Sequence, residues 1–247
     1  MNFGIIAAGE GSRLCSEGVT LPKPLVDIDG RPMMGRLLDI FISLGAERIG
    51  VVINGYMTEV ADWLRARAAC APVEIDIRVK TTPSSMHTFA EIADMLAPHG
   101  RFITTTVDTI FHPEAFGRYA RTFAEAPEDV AGMMAVTSFI DDEKPLYVAT
   151  TPDMRISGFY DTPRADTRFI SGGIYGLDRR AADVLRKCLE EGVGRMRNFQ
   201  RALVGQAPDG THTSPGLDIR AFDMGKIIDV DHASDIEIAR RFLSSPQ

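Results

Sequence analysis

The sequence lacks an apolar run long enough to cross a membrane, and it lacks an excess of positive charge. Its 247 residues include 27 lysines and arginines against 34 aspartates and glutamates, which gives a formal net charge of −7 at pH 7. A protein that binds nucleic acid over a wide surface needs a basic field, and a membrane span needs about 20 apolar residues. We therefore expect neither a nucleic-acid partner nor a membrane partner.

Cysteine is also scarce. The three cysteines, Cys15, Cys70 and Cys188, are widely separated, which favours reduced thiols over a disulfide framework. An apolar strand is predicted to start at Phe3 and leaves no room for a signal peptide. Both observations favour a cytoplasmic location. The composition, with 45% hydrophobic and 25% charged residues, is that of an ordinary globular protein, and the length suits one large α/β domain.

Short apolar runs that alternate with amphipathic stretches indicate an α/β fold. Strands are predicted over 3–8, 49–53, 73–79, 102–106 and 130–136, and helices over 32–44, 58–68, 86–96 and 113–124. Such alternation is typical of a mostly parallel sheet. Shorter extended runs over 147–150, 155–160 and 169–177 predict a small additional β-sheet region. The segment from 218 to 243 then returns to the first sheet.

The most informative motif combines a glycine-rich turn with two cations. Gly9 and Gly11 follow the first predicted strand, where the backbone must bend and approach a ligand closely. Arg13 adds a planar group that donates two hydrogen bonds to a phosphate, and Lys23, between two prolines, adds a compact ammonium. Two cations beside such a turn predict a binding site for a nucleoside triphosphate.

Two better-known glycine-rich motifs do not fit this segment. A dinucleotide-binding fingerprint requires a third glycine at the position of Leu14, and a P-loop requires Gly-Lys followed by Ser or Thr. An ordinary strand-to-helix turn would explain the two glycines alone. It would not explain Arg13 and Lys23 at this spacing.

The segments Gly9–Arg13 and Pro22–Lys23 resemble the glycine-rich loop and the proline-lysine motif of the sugar-phosphate nucleotidylyltransferase family, with Ser12 in place of threonine. The resemblance continues over 26–33 and recurs at 108, 172–175 and 228–231. It implies a nucleotide-diphospho-sugar transferase-like fold, namely a three-layer α/β/α sandwich with a mostly parallel, Rossmann-like central sheet and a small additional β-sheet region. A single domain over 1–247 would comprise an NTP-binding part (about 1–135), an acceptor-binding part (about 136–215) and a return to the main sheet (216–247).

The resemblance implies an enzyme that joins an NTP and a sugar 1-phosphate to give an NDP-sugar and pyrophosphate, with Mg²⁺ as cofactor. Arg13 would hold the β- and γ-phosphates, and Lys23 would hold the α-phosphate and its developing charge; these two are the predicted catalytic residues. The predicted nucleotide-binding residues are Ala7, Ala8, Gly9, Gly11, Ser12, Arg13, Lys23, Lys80, Pro83 and Ser85.

Two aspartates are the predicted Mg²⁺ ligands. Asp108 comes just after an apolar strand, at the carboxyl edge that also carries the Gly9 loop. In the resembling family, the position of Asp229 supplies a second carboxylate, and Asp231 is its close competitor. Mg²⁺ prefers one or two carboxylates together with phosphates and waters, so two aspartates are enough.

The segment 80–87 departs from the pattern with which the family recognises the nucleobase. Lys80 replaces a glutamine and Ser85 replaces a glycine. Because lysine only donates hydrogen bonds, we expect a base with an acceptor-rich face, which favours cytosine or guanine.

The resemblance places the acceptor near Asp161, Gly173 and Tyr175. The tripeptide Glu143-Lys144-Pro145 looks like the family's acceptor clamp, but it comes too early in the chain. The spacing fits Asp161-Thr162-Pro163 better, where the lysine for the acceptor phosphate is missing. The arginines that could replace it are Arg155, Arg164 and Arg168. A phosphoalcohol such as phosphocholine or an inositol phosphate, with CTP as donor, therefore stays open as the acceptor.

A different class of function also stays open, namely a regulatory protein that binds a nucleotide without turning it over. The presence of Arg13, Lys23 and two aspartates argues against it, because binding alone seldom requires the full set of charges. The sequence allows a homodimer, but no residue indicates one.

Overall fold

A central sheet flanked by helices forms the core of the computed structural model, which describes residues 1–139 and 144–245. The strands are β1 (Asn2–Ala7), β2 (Asp27–Ile28), β3 (Arg31–Pro32), β4 (Arg48–Ile53), β5 (Glu74–Val79), β6 (Phe102–Thr106), β7 (Thr109–Ile110), β8 (Val130–Thr137), β9 (Tyr147–Thr150), β10 (Ile156–Tyr160), β11 (Thr167–Leu177), β12 (Asp218–Asp223) and β13 (Ile228–Asp229). The helices are α1 (Ser12–Ser16), α2 (Met33–Ser43), α3 (Thr58–Ala69), α4 (Ser85–Leu96), α5 (Pro113–Ala124), α6 (Arg179–Glu190), α7 (Met196–Leu203) and α8 (Ala233–Ser244). Over the described ranges, no helix combines the length and the apolarity that a bilayer span requires.

Strand β1 lies in the middle of the main sheet. It pairs in parallel with β4 on one side and with β6 on the other, and β5 extends the sheet beyond β4, again in parallel. The strand order is β10-β9-β11-β6-β1-β4-β5, and β8 pairs with β11 and β12. Because β1, β4, β5 and β6 run in the same direction, the loops that follow them all lie at one edge of the sheet.

The side chains of the main sheet alternate between two apolar clusters, one on each face. Ile6 of β1 packs in the cluster that includes the apolar faces of α4, α6 and α7, whereas Phe3 and Ile5 pack in the cluster that includes those of α2, α3 and α5. This alternation is the period of two expected for a strand buried on both faces. It produces a helix-sheet-helix arrangement, which confirms the predicted α/β class.

Strands β9, β10 and β11 differ from the expectation of a small additional sheet. They belong to the main sheet, which has nine strands within the described residues. The reason is the length of β11, which has 11 residues. Its second half pairs antiparallel with β6, and its first half continues past the end of β6 and pairs antiparallel with β9. The additional sheets are the two-stranded pairs β2–β3 and β7–β13.

A third apolar cluster holds the C-terminal segment against the N-terminal loop. It contains Leu14 of α1, Ile28 of β2, Ile110 of β7, Ile228 of β13 and Ala239 of α8, all of them buried. Strand β12 pairs in parallel with β8, so the chain re-enters the main sheet before it forms β13 and α8. The segments next to residues 13 and 231 are therefore packed together although they lie far apart in sequence.

His232 and Glu17 join the start of α8 to the end of α1. His232 Nδ1 lies 2.6 Å from Glu17 Oε1, and the backbone N–H of Ala233 donates to Glu17 Oε2 at 2.6 Å. The carboxylate of Asp235 in turn accepts from the backbone N–H groups of Asp231 and His232. The hydrogen bond to Glu17 raises the pKa of His232 above its ordinary value of 6.5. The first turn of α8 is thus fixed by two acidic side chains, one local and one distant.

We expect Phe41→Ala to lower the free energy of unfolding by about 3–5 kcal/mol. The ring of Phe41 is fully buried and stacks on Phe3 with centroids 4.5 Å apart, so its removal leaves a cavity beside β1. Urea unfolding measures the change. Tyr56→Ala is the matched control, since Tyr56 is 82% exposed and its loss should cost less than about 0.5 kcal/mol. Equal losses in the two variants would contradict this account of the core.

The Glu17–His232 pair predicts a pH dependence with a defined sign. Because the pKa of His232 is raised, its contribution to the free energy of unfolding is fully present below pH 6.5 and is lost as the pH rises through the raised value. Glu17→Gln removes the partner, so the difference in stability between wild type and variant should shrink as the pH rises. Urea unfolding between about pH 5 and 9 tests this. A difference that stays constant over that range would contradict it.

Candidate functional site

The loops at the carboxyl ends of β1, β4, β5 and β6 surround a cavity of about 590 Å³. Asp108 and all predicted nucleotide-binding residues except Lys80 line it: Ala7, Ala8, Gly9, Gly11, Ser12, Arg13, Lys23, Pro83 and Ser85. Since these residues come from separate segments of the chain, the parallel sheet is what brings them together. This volume lies within the range expected for a small-molecule site.

Gly11 allows the loop after β1 to approach Lys23 closely. Its φ of +64° lies in the left-handed region, and a Cβ atom at this position would lie 2.9 Å from Cβ of Lys23. Any other residue would therefore combine backbone strain with a clash. Lys23 itself begins a short 3-10 turn after Pro22, and its side chain is only 10% exposed. The two motifs of the sequence thus form one packed unit.

Two cations and two carboxylates meet on the wall of the cavity. Nζ of Lys23 lies 2.5 Å from Oδ2 of Asp108 and 2.8 Å from Oδ1 of Asp231, and Nη1 of Arg13 lies 2.9 Å from Oδ2 of Asp231. We call these four residues the charge cluster. Because Asp108 and Asp231 contact the same ammonium, their carboxylates lie within reach of a single cation.

The charge cluster shifts the protonation equilibria of Lys23 and Asp231 in favour of their charged forms. Burial lowers the pKa of Lys23, but the charges of Asp108 and Asp231 and the hydrogen bonds to them outweigh burial, so the pKa is raised above its ordinary value. Burial raises the pKa of Asp231, but its hydrogen bond to Lys23 and the nearby positive charges outweigh burial, and the pKa is lowered. Both side chains are therefore charged at neutral pH.

Asp231 is the carboxylate that shares the ammonium of Lys23 with Asp108. Asp229 ends β13, where it pairs with Thr109, and its charge acts on Tyr175. The chain then turns into α8, and Asp235 holds the backbone N–H of Asp231 at 3.0 Å. This turn directs Asp231 to the cavity. Across 1–139 and 144–245, no group of three or more His, Cys, Asp or Glu side chains is arranged to hold a metal ion.

Lys80 lies away from the cavity, unlike the other residues predicted to bind the nucleotide. Its ammonium pairs with Glu91 of α4 at 2.5 Å, and Arg78 pairs with the same carboxylate. Burial raises the pKa of Glu91, but the two cations outweigh burial and the pKa is lowered. The ammonium of Lys80 is therefore paired with the ionised carboxylate of Glu91 on α4. The expected preference for an acceptor-rich base, which depended on Lys80, has no support in this geometry.

Polar residues that the sequence analysis did not single out also line the cavity, among them Asn54, Thr81 and Thr106. Asn54 directly follows β4, Thr106 ends β6, and Thr81 comes two residues after β5. Their position in the sequence could have identified them as cavity residues, because a polar residue at the carboxyl end of a buried parallel strand faces the ligand-binding edge of the sheet.

Asp161 is held by two arginines of α7. It pairs with Arg197 and, at 2.8 Å, with Arg201, whose side chain is only 3% exposed and also donates to the carbonyl of Phe159. Burial raises the pKa of Asp161, but the arginines outweigh burial and the pKa is lowered. Asp161 is therefore an ionised carboxylate that joins the end of β10 to α7, and half of its side chain remains exposed.

Gly173 and Tyr175 lie on β11. Gly173 has a φ of +72°, and a Cβ atom there would lie 3.3 Å from Oγ1 of Thr109, so the glycine lets the strand pass close to the segment after β6. Tyr175 is buried against Phe89 in an edge-to-face contact, and burial raises its pKa to about 12. Tyr175 packs in the core, where Gln200 approaches its hydroxyl at 3.5 Å.

The three arginines considered for the acceptor phosphate all have other contacts. Arg155 lies 3.9 Å from Asp218, Arg164 stacks on the ring of Tyr160, and Arg168 lies over the ring of Phe169. None of them lines the cavity beside the charge cluster. Of the tripeptide that starts at 143, the first residue lies outside the described residues.

Comparison with known proteins gives three similarities of different extent. Over 66 residues, the chain is 40% identical to 2-aminoethylphosphonate cytidylyltransferase of Lancefieldella rimae, and over 60 residues it is 39% identical to a UTP–glucose-1-phosphate uridylyltransferase of Haloferax volcanii. These matches cover 27% and 24% of this chain, and they span only about a quarter of the length of each relative, 26% and 24%. The inositol-1-phosphate CTP transferase from T. maritima superposes with a TM-score of 0.73 at 16% identity, over 100% of this chain and 97% of the other, which shows a shared fold.

The sequence profile of the MobA-like NTP transferase domain matches residues 4–205, which is most of the chain. This match includes β1, the glycine-rich loop, Lys23 and Asp108, and it confirms the family resemblance that these motifs indicated. The chain belongs to the MobA-like NTP transferase family.

Proposed function

We propose that this protein transfers the nucleotidyl group of an NTP to a phosphate oxygen of a small phosphorylated acceptor and releases pyrophosphate. The observation that carries the proposal is the charge cluster of Arg13, Lys23, Asp108 and Asp231 on the wall of the cavity. Two fixed cations suit a triphosphate, and two carboxylates at the same point suit a divalent cation that accompanies it. Binding a neutral metabolite would require neither.

The reaction is an in-line displacement at the α-phosphorus. An oxygen of the acceptor phosphate forms the new P–O bond, the bond to the β-phosphate breaks, and pyrophosphate leaves with the electron pair. Lys23 neutralises the charge that develops around the α-phosphorus, and Arg13 holds the β- and γ-phosphates. Loss of one such contact should cost about 3 kcal/mol at the transition state. The chemistry needs no covalent intermediate with the protein.

The carboxylates of Asp108 and Asp231 fit Mg²⁺. Both provide hard oxygen ligands, and both contact Lys23 Nζ, so a single ion could bind them together with phosphate oxygens. A bound Mg²⁺ would neutralise negative charge on the reacting phosphates. The polypeptide supplies the two carboxylates, and Asp235 fixes the backbone that presents Asp231.

The acceptor that we propose first is a sugar 1-phosphate, bound beside Asp161 and Gly173. A second candidate is a phosphoalcohol or phosphonate with CTP as donor. It is favoured by the missing lysine at 161–163 and by the similarity to a 2-aminoethylphosphonate cytidylyltransferase. A protein that binds NTP without turnover is the alternative outside this class.

Pyrophosphate release over a matrix of four NTPs and a panel of sugar 1-phosphates, phosphoalcohols and phosphonates, with Mg²⁺, tests the proposal. Mass spectrometry identifies the product of each reaction. One active pair would establish nucleotidyl transfer and identify both substrates. NTP binding with no pyrophosphate release across the matrix would overturn the proposal in favour of a binding protein.

We expect Lys23→Met to lower kcat by about 10²–10³-fold. The methionine keeps most of the aliphatic stem but removes the charge that stabilises the transition state. Lys187→Met is the matched control, because the side chain of Lys187 on α6 is 75% exposed and lies outside the cavity. Steady-state kinetics measure both variants. Unchanged turnover in Lys23→Met would refute the role of this residue.

Asp231→Asn and Asp229→Asn distinguish the two candidate metal ligands. Since Asp231 contacts Lys23 in the charge cluster, we expect Asp231→Asn to raise the Mg²⁺ concentration needed for half-maximal activity by about tenfold or more, and Asp229→Asn to raise it less. A Mg²⁺ titration of the rate measures both. The reverse order of effects would return the role to Asp229.

A further inference from the structure

The side-chain amide of Asn54 connects two loops that line the cavity. Its Nδ2 donates to the carbonyl of Ala8 at 3.0 Å, and its Oδ1 accepts from the hydroxyl of Thr81 at 2.8 Å. Ala8 opens the phosphate loop (residues 8–13), and Thr81 belongs to the base loop (residues 80–85). All three residues line the cavity. Asn54 is therefore a direct physical link between the two loops.

The position of Asn54 just after β4 explains why its side chain can connect two loops that the sheet itself does not connect. The phosphate loop follows β1 and the base loop follows β5, and these strands are not neighbours, because β4 lies between them. The two loops consequently share no ladder of backbone hydrogen bonds. Asn54 directly follows β4 and reaches to both sides.

The partners of Asn54 fix the orientation of its amide. Oδ1 accepts a second hydrogen bond from the backbone N–H of Tyr56 at 3.2 Å, and the residue is only 3% exposed. A reversed amide would place Oδ1 against the carbonyl of Ala8 and the NH₂ group against the N–H of Tyr56. Aspartate cannot replace the donor to Ala8, and an apolar residue would leave buried polar groups without their partner.

We propose that Asn54 is a positioning residue that holds the phosphate loop and the base loop at a fixed separation, and that it thereby sets nucleotide affinity and the discrimination between nucleobases. The inference rests on the proposed function in one respect, namely that this cavity binds the NTP. Asn54 acts through Ala8 and Thr81, so it should affect binding of the nucleotide more than the chemical step.

Two sets of variants test separately the hydrogen bond of Asn54 to Ala8 and its hydrogen bond to Thr81. Asn54→Asp keeps the acceptor for Thr81 and Tyr56 and loses the donor to Ala8. Thr81→Val loses the hydroxyl that donates to Asn54 at nearly constant shape, and Thr81→Ser keeps that hydroxyl. Thr81 is exposed, so this pair can be compared even if Asn54→Asp fails to fold.

We expect KM for the NTP to rise about tenfold in Asn54→Asp and several-fold in Thr81→Val, with kcat nearly unchanged. The ratio of KM values between the preferred NTP and the others should narrow in both variants. Thr81→Ser should behave like wild type. If Thr81→Val matches Thr81→Ser in KM and in base discrimination, or if kcat falls while KM stays constant, the inference is refuted.

Hydrogen exchange without nucleotide tests the link independently of turnover. The backbone amides of residues 8–13 and 80–85 should exchange faster in Asn54→Asp and in Thr81→Val than in wild type, while those of α6 should not change. Unchanged exchange in both loops would contradict the inference. A wild-type protein that releases no pyrophosphate would contradict only the proposed function, since the exchange result would still decide the role of Asn54.

Discussion

The ammonium of Lys23 between the carboxylates of Asp108 and Asp231 is the contact on which the candidate site depends. It joins three segments that are far apart in sequence, namely the turn after Pro22, the end of β6 and the turn before α8. A largely buried cation is stable only where anions compensate its desolvation, so loss of either aspartate would leave the Lys23 ammonium with only one of its two carboxylate partners. The same electrostatic requirement that holds these segments together places two cations and two anions beside one cavity. The ion pairs of Lys23 with Asp108 and Asp231 therefore hold the site together and also provide the charges for the proposed chemistry.

The parallel sheet provides the frame for this contact. Strands β1, β4, β5 and β6 end at one edge, and each contributes polar groups just beyond its last apolar residue. The C-terminal segment completes the site from the side, because the third apolar cluster and the pair of Glu17 with His232 hold α8 against α1. The phosphate loop is fixed on both flanks, by Asn54 within the sheet and by Asp231 at its outer end. A triphosphate would thus meet groups that are already positioned, which lowers the entropic cost of binding.

Much of this arrangement could be predicted from the sequence, because it depends on local patterns. The alternation of apolar runs and amphipathic stretches predicted the helices and strands closely, and the segment from Gly9 to Lys23 predicted the loop that lines the cavity. Distant contacts decided the features that the sequence did not reveal. Lys80 follows a strand, as a residue that recognises the base would, but its ammonium pairs with the carboxylate of Glu91 on α4. Asp229 and Asp231 differ by only two positions, and the contact of Asp231 with Lys23 depends on the turn into α8, which spacing in the sequence does not reveal. Strands β9 and β10 join the main sheet because β11 is long enough to pair with β6 in its second half and with β9 in its first half.

Transfer of the nucleotidyl group, which contains the α-phosphorus, from NTP to the acceptor is the central claim, and isotopic labelling tests it most directly. The wild-type protein would be incubated with Mg²⁺, the acceptor panel and an NTP that carries ³²P at either the α- or the γ-position. The account predicts that label from the α-position appears in the acceptor product and that label from the γ-position appears in pyrophosphate. Transfer of γ-label to the acceptor, or its release as inorganic phosphate, would contradict it, because Arg13 and Lys23 would then serve attack at a different phosphorus.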